Sequence, residues 1–494
     1  MTKFSDTICA PASSVGSGAI SIVRVSGEEC FAIMDRLLRC RNGNISESKG
    51  YTMKRGQFSD VDDVVVGIFR GPNSYTGEDS VEIYCHASSY IVSRILEMLA
   101  NEGCRLAEAG EFTKRAYLNG KMDLAQAEAV ADVIAASSAA QHKVAMNQLR
   151  GGYSAELRSI REELVQLAAL MELELDFSEE EVEFADRTIL LGLVNRAIER
   201  CEKLSDSFRL GNAIKNGVPV AIVGAPNSGK STLLNALLQD ERAIVSDIPG
   251  TTRDTIEECC VIDGILFRFI DTAGIRDASD EIERLGIERA FAKIREAEVV
   301  LGIVDCSSGL LDKDNIETCS QGVSESAETV EESLCNEALA NAKMIIEKVN
   351  LKSQKLILLC NKIDAIEGDL TLNKNVTSIN NIVSSIDNKG LNVKVANISA
   401  KSGLGLDELR KILGNLCNIS STSDNLVTNA RHAQALRSSA ESLREVEKGL
   451  GQLLPTDLVA EDLRAALRTL GTITGEISTD EVLGEIFGKF CIGK

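Results

Sequence analysis

Gly224-Ala225-Pro226-Asn227-Ser228-Gly229-Lys230-Ser231 is the stretch on which the reading of this chain turns. The octet fits GxxxxGK[ST]. It follows the apolar run Val218-Pro219-Val220-Ala221-Ile222-Val223 and precedes a helical pattern in Leu233, Leu234, Ala236 and Leu237. A strand that enters a glycine-rich turn and then a helix lets backbone N–H groups close around phosphates at the helix N-terminus. In that arrangement Lys230 reaches the β and γ phosphates and the Ser231 hydroxyl ligates Mg²⁺. Asn227, Ser228, Gly229 and Thr232 complete the loop.

Three further motifs follow in the order that a guanine-nucleotide site needs. Asp271-Thr272-Ala273-Gly274 comes after the apolar run 266–270. It puts Asp271 near the metal and the Gly274 amide near the γ-phosphate. Asn361-Lys362-Ile363-Asp364 comes after the run 355–360. The Asp364 carboxylate can accept from N1 and the 2-amino group of guanine, and a site built for such bonds rejects a base that lacks them. Ser399-Ala400-Lys401 follows the run 393–398 and fits the loop whose backbone meets the guanine O6.

Residues 244–254 form the expected switch segment. Within it Ser246, Asp247, Ile248 and Thr251 approach the nucleotide, and Thr252 is the second Mg²⁺ ligand, placed to sense the γ-phosphate. After Gly274 stands Ile275, where Ras-like enzymes place a water-orienting glutamine. The water-orienting group and the compensating positive charge must therefore come from elsewhere. The Asn227 side-chain oxygen and carbonyls of the 246–251 loop could hold a monovalent cation. Glu283 reads either as the group that positions water or as a solvated helix residue.

Composition bounds the rest. With 494 residues the chain exceeds one core, and its length suggests about three domains. At 44% hydrophobic and 26% charged residues it reads as soluble and globular. No run approaches the ~20 apolar residues of a membrane span. The first residues lack the layout of a signal peptide. Fourteen cysteines with no CxxC pair, beside only three histidines, read as reduced thiols of a cytoplasmic protein rather than as disulfides or zinc ligands. The net charge of −21 argues against general nucleic-acid affinity, without excluding a local basic face. Residues 306–349 hold nine Asp and Glu against three Lys, and read either as a solvated helix or as a mobile insertion.

Short β-branched runs alternate with turns in 1–120, at 19–25, 64–69 and 81–85. From 121 to 215 Leu157, Ile160, Leu164, Leu167, Leu170 and Leu173 recur at helical spacing. Strand–helix alternation returns in 216–420, and helical periodicity resumes in 421–494. The expected fold is multidomain α/β plus α. It comprises an N-terminal α/β domain, a helical domain assembled from two segments, and a Ras-like P-loop GTPase domain inserted between them.

These motifs, together with both ends of the chain, resemble the MnmE (TrmE) family of tRNA modification GTPases, which install carboxymethylaminomethyl-type groups. Near the start of the chain the resemblance lies in Gly71-Pro72-Asn73-Ser74-Tyr75-Thr76-Gly77-Glu78-Asp79, Ala109-Gly110-Glu111-Phe112-Thr113-Lys114-Arg115-Ala116 and Asn119-Gly120-Lys121-Met122-Asp123-Leu124-Ala125-Gln126-Ala127-Glu128-Ala129. The end, Cys491-Ile492-Gly493-Lys494, matches the family's C-[ILV]-G-K. The resemblance implies a homodimer whose N-terminal domain binds 5-formyltetrahydrofolate or a related folate through Arg24, Glu82, Lys121 and Lys494. Read without it, those four are a strand-end charge, a cross-strand charge, a surface lysine and a frayed terminus.

The resemblance also implies potassium held by Asn227, Ser246, Ile248 and Thr251, with Glu283 as the catalytic glutamate. It implies a flavin-dependent partner of the MnmG type in a heterotetramer or larger complex, and modification at C5 of the wobble uridine of certain tRNAs. The chain departs from the family pattern at Gly16-Ser17-Gly18-Ala19-Ile20-Ser21 and at Ala87-Ser88, where the family has more glycine. Cys491 reads equally as a reactive thiol and as a packed small residue. The competing class is a regulatory GTPase switch such as a ribosome-assembly factor. That class calls for a basic RNA-binding appendage, which the sequence does not display.

Overall fold

The computed structural model describes residues 5–13, 18–41, 43–176, 187–239, 258–270, 295, 297–307, 327–351, 354–366, 376–381, 383–384, 393–416, 425–452, 454–477 and 479–493. The switch segment 244–254, Asp271, Thr272, Ala273, Gly274, Glu283 and Lys494 lie outside the described residues. The chain divides into two compact units. One joins Met1–Ile134, Ala145–Asp206 and Arg431–Lys494; the other joins Ala135–Val144 and Ser207–Ala430.

In the first unit, strands β1 (Ile8–Pro11), β2 (Ile20–Ser26), β3 (Leu38–Cys40), β4 (Thr52–Phe58), β5 (Asp62–Phe69), β6 (Ser80–His86) and β7 (Arg105–Leu106) form one sheet in the order β3-β4-β5-β6-β2-β1-β7. Its neighbours are antiparallel except β1 and β7. Alternation fixes the two faces. Val64, Val66 and Ile68 are buried while Val65 is exposed, as a half-covered strand requires. The inner face packs on helices Cys30–Leu37 and Ser89–Asn101 through Ile33, Met34, Val92, Ile95 and Leu99. Across the outer face runs a cross-strand row of Met53, Gly67, Glu82 and Arg24. Beside it lies a second row of Val65, Tyr84 and Ile22.

The same unit holds helices Glu111–Leu118, Gly152–Asp176, Arg187–Asp206, Ala430–Gly451, Thr456–Thr474 and Asp480–Phe487. Leu157, Ile160, Leu164 and Leu167 are buried as their spacing predicts. The next fully buried side chain is Met171, with Leu170 half-buried, because a 3.6-residue turn keeps the buried stripe on alternating steps of three and four, and Leu170 stands a second step of three after Leu167. On the returning segment Leu436, Leu443, Leu463 and Leu470 are buried in the same way.

In the second unit, β8 (Val218–Gly224), β9 (Glu258–Ile262), β10 (Ile265–Phe269), β11 (Val299–Asp305), β12 (Lys355–Asn361) and β13 (Val393–Asn397) form a sheet in the order β13-β12-β11-β8-β10-β9. All pairs are parallel except β9 with β10. Both faces are covered, so the strands read as continuous apolar runs. Val220, Leu301, Ile303 and Leu359 meet Leu409 and Leu413 of helix Leu406–Leu416 on one face. On the other, Val300, Val304 and Leu358 meet Ala338, Ala342 and Ile345 of helix Ala327–Lys348. The later part of the acidic segment 306–349 is thus a helix docked on the sheet. Residues 308–326 lie outside the described residues. No helix among the described residues is long and apolar enough to cross a membrane.

Candidate functional site

β8 lies between β11 and β10, so the chain leaves it for one side of the sheet and later fills the other. Parallel α/β sheets bind ligands outside the carboxyl ends of their strands at such a switch point. The octet read first in the sequence occupies that place. It is the turn from Gly224, the end of β8, into helix Lys230–Gln239.

The turn is tight. Asn227 has φ +59 and Gly229 has φ +103, both in the left-handed region. At Gly229 a Cβ would stand 2.2 Å from Asn361 Nδ2, so only glycine lets the loop and the later motif approach. Ser228 is fully buried, and its hydroxyl has no hydrogen-bond partner among the described residues. Lys230 Nζ donates to the carbonyls of Gly224 at 2.9 Å and Ala225 at 2.8 Å. Burial lowers the pKa of that ammonium.

Asn361 ends β12 and is almost completely buried. Its Nδ2 donates to the Ser228 carbonyl at 2.7 Å, and its Oδ1 accepts from the Ala400 N–H at 3.0 Å. One side chain thereby ties the phosphate loop to both later motifs. Ser399 is buried, and its Oγ accepts from Ser402 N at 3.1 Å, which shapes the Ser399, Ala400 and Lys401 turn. Asp364 stands exposed in the 3-10 turn Ile363–Ile366, which Ile363 N anchors to the Ile398 carbonyl at 3.3 Å. Ser231 and Thr232 occupy the first turn of the helix that follows the loop.

Asp305 was not singled out from the sequence. It ends β11, lies in register with Asn361, and places Oδ2 2.5 Å from Lys362 Nζ. Its sequence signal is slight, a lone carboxylate closing an apolar run.

In the first unit, Arg24 and Glu82 face each other across β2 and β6. Arg24 Nη2 and Nε donate to Glu82 Oε1 at 2.8 and 3.1 Å. The guanidinium also lies 5.3 Å from the ring centre of Tyr75 and 5.6 Å from that of Phe112. Tyr84 donates to the second Glu82 oxygen at 2.9 Å. Lys121 Nζ donates to the Pro72 carbonyl at 2.9 Å, so loop 71–79 touches both Arg24 and Lys121.

Residues of the 109–116 stretch have a structural task that sequence reasoning missed. Arg115 is fully buried and donates to Asp6 Oδ1 at 2.8 Å, Glu111 Oε1 at 3.0 Å and Glu78 Oε1 at 3.3 Å. Burial works against ionisation of Glu111, but hydrogen bonds from Arg105 and Arg115 hold its carboxyl below the ordinary range. The tail reaches the same stretch, where Ile492 pairs with Ala109 and Gly110 N donates to Cys491 O at 3.4 Å.

Two family models match the chain. One, described as the MnmE helical domain, matches residues 124–491; the other, described as GTP-binding protein TrmE N-terminus, matches residues 7–121. The curated relatives include a tRNA modification GTPase MnmE of Flavobacterium johnsoniae, 47% identical over 496 residues, with 99% of each chain covered. The protein of the same name from Porphyromonas gingivalis is 48% identical over 503 residues, covering 99% of this chain and 98% of the relative. That of Bacteroides fragilis is 44% identical over 500 residues, covering 99% of each.

Proposed function

The chain belongs to the MnmE family of tRNA modification GTPases, and on that premise we propose that it hydrolyses GTP within a complex that adds a carboxymethylaminomethyl-type group to C5 of the wobble uridine of certain tRNAs. The observation that carries this reading is the pair of hydrogen bonds made by Asn361, one to the Ser228 carbonyl and one from the Ala400 N–H, which supports a single guanine-nucleotide site.

In that site the phosphates take the N–H groups of the turn and of the helix start, and Lys230 exchanges its loop carbonyls for phosphate oxygens. The hydroxyls of Ser231 and Thr252 suit Mg²⁺, which screens the phosphate charge when bound. We assign Asp271 and the Thr272, Ala273 and Gly274 backbone to the γ-phosphate. Asp364 accepts from guanine. With Ile275 in the place of a glutamine, we assign a potassium site to Asn227, Ser246, Ile248 and Thr251. Glu283 is assigned the positioning of water.

The donor set on the outer sheet face fits a folate. The Glu82 carboxylate can accept from pterin N–H groups. Arg24, Lys121 and Lys494 can meet carboxylates, and Tyr75 and Phe112 supply ring faces. The same face leaves Ile20 67%, Tyr51 70% and Met53 64% exposed, which supports pairing of two copies there as a homodimer. A flavin-dependent partner of the MnmG type, and action in the cytoplasm, complete the reading.

The test is mass analysis of wobble uridines in tRNA from cells lacking this chain, with and without its gene restored. Loss of the modified nucleoside that the restored gene reverses is the expected result. Unchanged nucleosides would overturn the assignment in favour of a regulatory switch.

A further inference from the structure

Lys362 adopts φ +67, a left-handed backbone that a lysine seldom takes without a tether. The tether is visible, for its ammonium lies 2.5 Å from Asp305 Oδ2. Asp305 is itself held, since Oδ1 accepts from Ser307 N at 2.9 Å and from Ser307 Oγ at 2.7 Å. Strand register puts Asp305 beside Asn361, one residue before Lys362. The lysine charge is therefore met by the protein side of the site. Its methylene stem is left beside the turn that carries Asp364.

The geometry points to Asp305 as a positioning residue for the guanine nucleotide, holding Lys362 so that its stem, and not its charge, borders the base. The inference rests on the reading of residues 361–364 as the base-binding tetrad. A neutral or displaced Lys362 would leave that border mobile and would speed nucleotide release, with less effect on turnover at saturating GTP.

A double-mutant cycle tests this, reading the dissociation rate of a fluorescent GDP analogue from the full-length protein. Asp305→Asn keeps the shape and removes the charge, and is expected to speed release about fivefold, the range for a half-exposed charged hydrogen bond. Lys362→Met keeps most of the stem and is expected to do the same. The double variant should release nucleotide no faster than Lys362→Met alone, because both changes remove one interaction.

An unchanged rate in Asp305→Asn overturns the inference. So does an undiminished Asp305→Asn effect in the Lys362→Met background, which would mean that Asp305 acts by another route. Should Asp305→Asn fail to fold, Ser307→Ala loosens the carboxylate without removing it and is expected to speed release about twofold. No change there overturns the inference equally. Failure of the underlying reading is separately visible: Asp364→Asn would then retain its preference for guanine whatever the Asp305 cycle shows.

Discussion

The Asp364 carboxylate is exposed in a turn whose backbone Ile398 fixes, so its proposed task depends on its own two oxygens. Replacing it by asparagine turns one acceptor into a donor, which suits a base with a carbonyl where guanine has its 2-amino group. Asp364→Asn is expected to shift preference from GTP toward xanthosine triphosphate by about a hundredfold or more, the scale of sites built on such bonds. Competition binding measures it, and wild-type discrimination in the variant would remove residues 361–364 from the base. Asp364 was singled out in the sequence because base recognition demands fixed neighbours at fixed spacing. Asp305 was not, since a strand-end carboxylate has no pattern until the register with Asn361 is known. Nor was the task of Asn361 in joining Ser228 to Ala400, which depends on a glycine at 229 leaving room for its side chain.

At the scale of elements, the phosphate turn depends on a left-handed backbone at Asn227, where φ is +59. Hydrolysis is expected to run about tenfold or more faster in potassium than in sodium at equal ionic strength, the order of effect of one well-placed charge. Asn227→Gly keeps the left-handed turn and should lose that difference; equal wild-type rates in the two salts would sink the cation argument.

Helix packing gives a second prediction. Glu128 meets His432 at 2.8 Å and Arg431 at 2.9 Å on helix Ala430–Gly451. Burial alone would raise its carboxyl, but the hydrogen bond and charge of His432, with Arg431, bring it down to about 2 from the ordinary 4.5. A depressed folded value means stability present above about 4.5 and lost as pH falls toward 2. Denaturant melts of wild type should weaken across that window, and Glu128→Gln should flatten the decline; identical slopes would assign the acid loss to other groups. Helical spacing disclosed the buried leucines of 152–176 and 430–474, but not that Glu128, a half-buried polar residue in an alanine-rich run, would join His432 and Arg431.

The whole molecule brings distant parts of the chain together within the first unit. Helix Asp480–Phe487 is followed by a tail that returns to Ala109, and Gly493 has φ +98 with Pro11 O only 1.9 Å from where a Cβ would stand. Sequence patterning showed the helices but could not show this return, because the tail adds little apolar burial. Cys491 is exposed and Ile492 is 63% exposed. That economy makes the tail dispensable for stability and suited to a site. Deleting residues 491–494 is expected to leave GTP hydrolysis and melting temperature nearly unchanged while abolishing tRNA modification and lowering folate affinity in calorimetry. Gly493→Ala sharpens the test, since it keeps Lys494 but cannot keep the tail on Pro11 without strain. It should reproduce the deletion's loss of modification with GTP hydrolysis intact. A truncated chain that still modifies tRNA would make the tail a frayed terminus. It would also withdraw Lys494 from the folate site, leaving Arg24, Glu82 and Lys121 to hold the ligand alone.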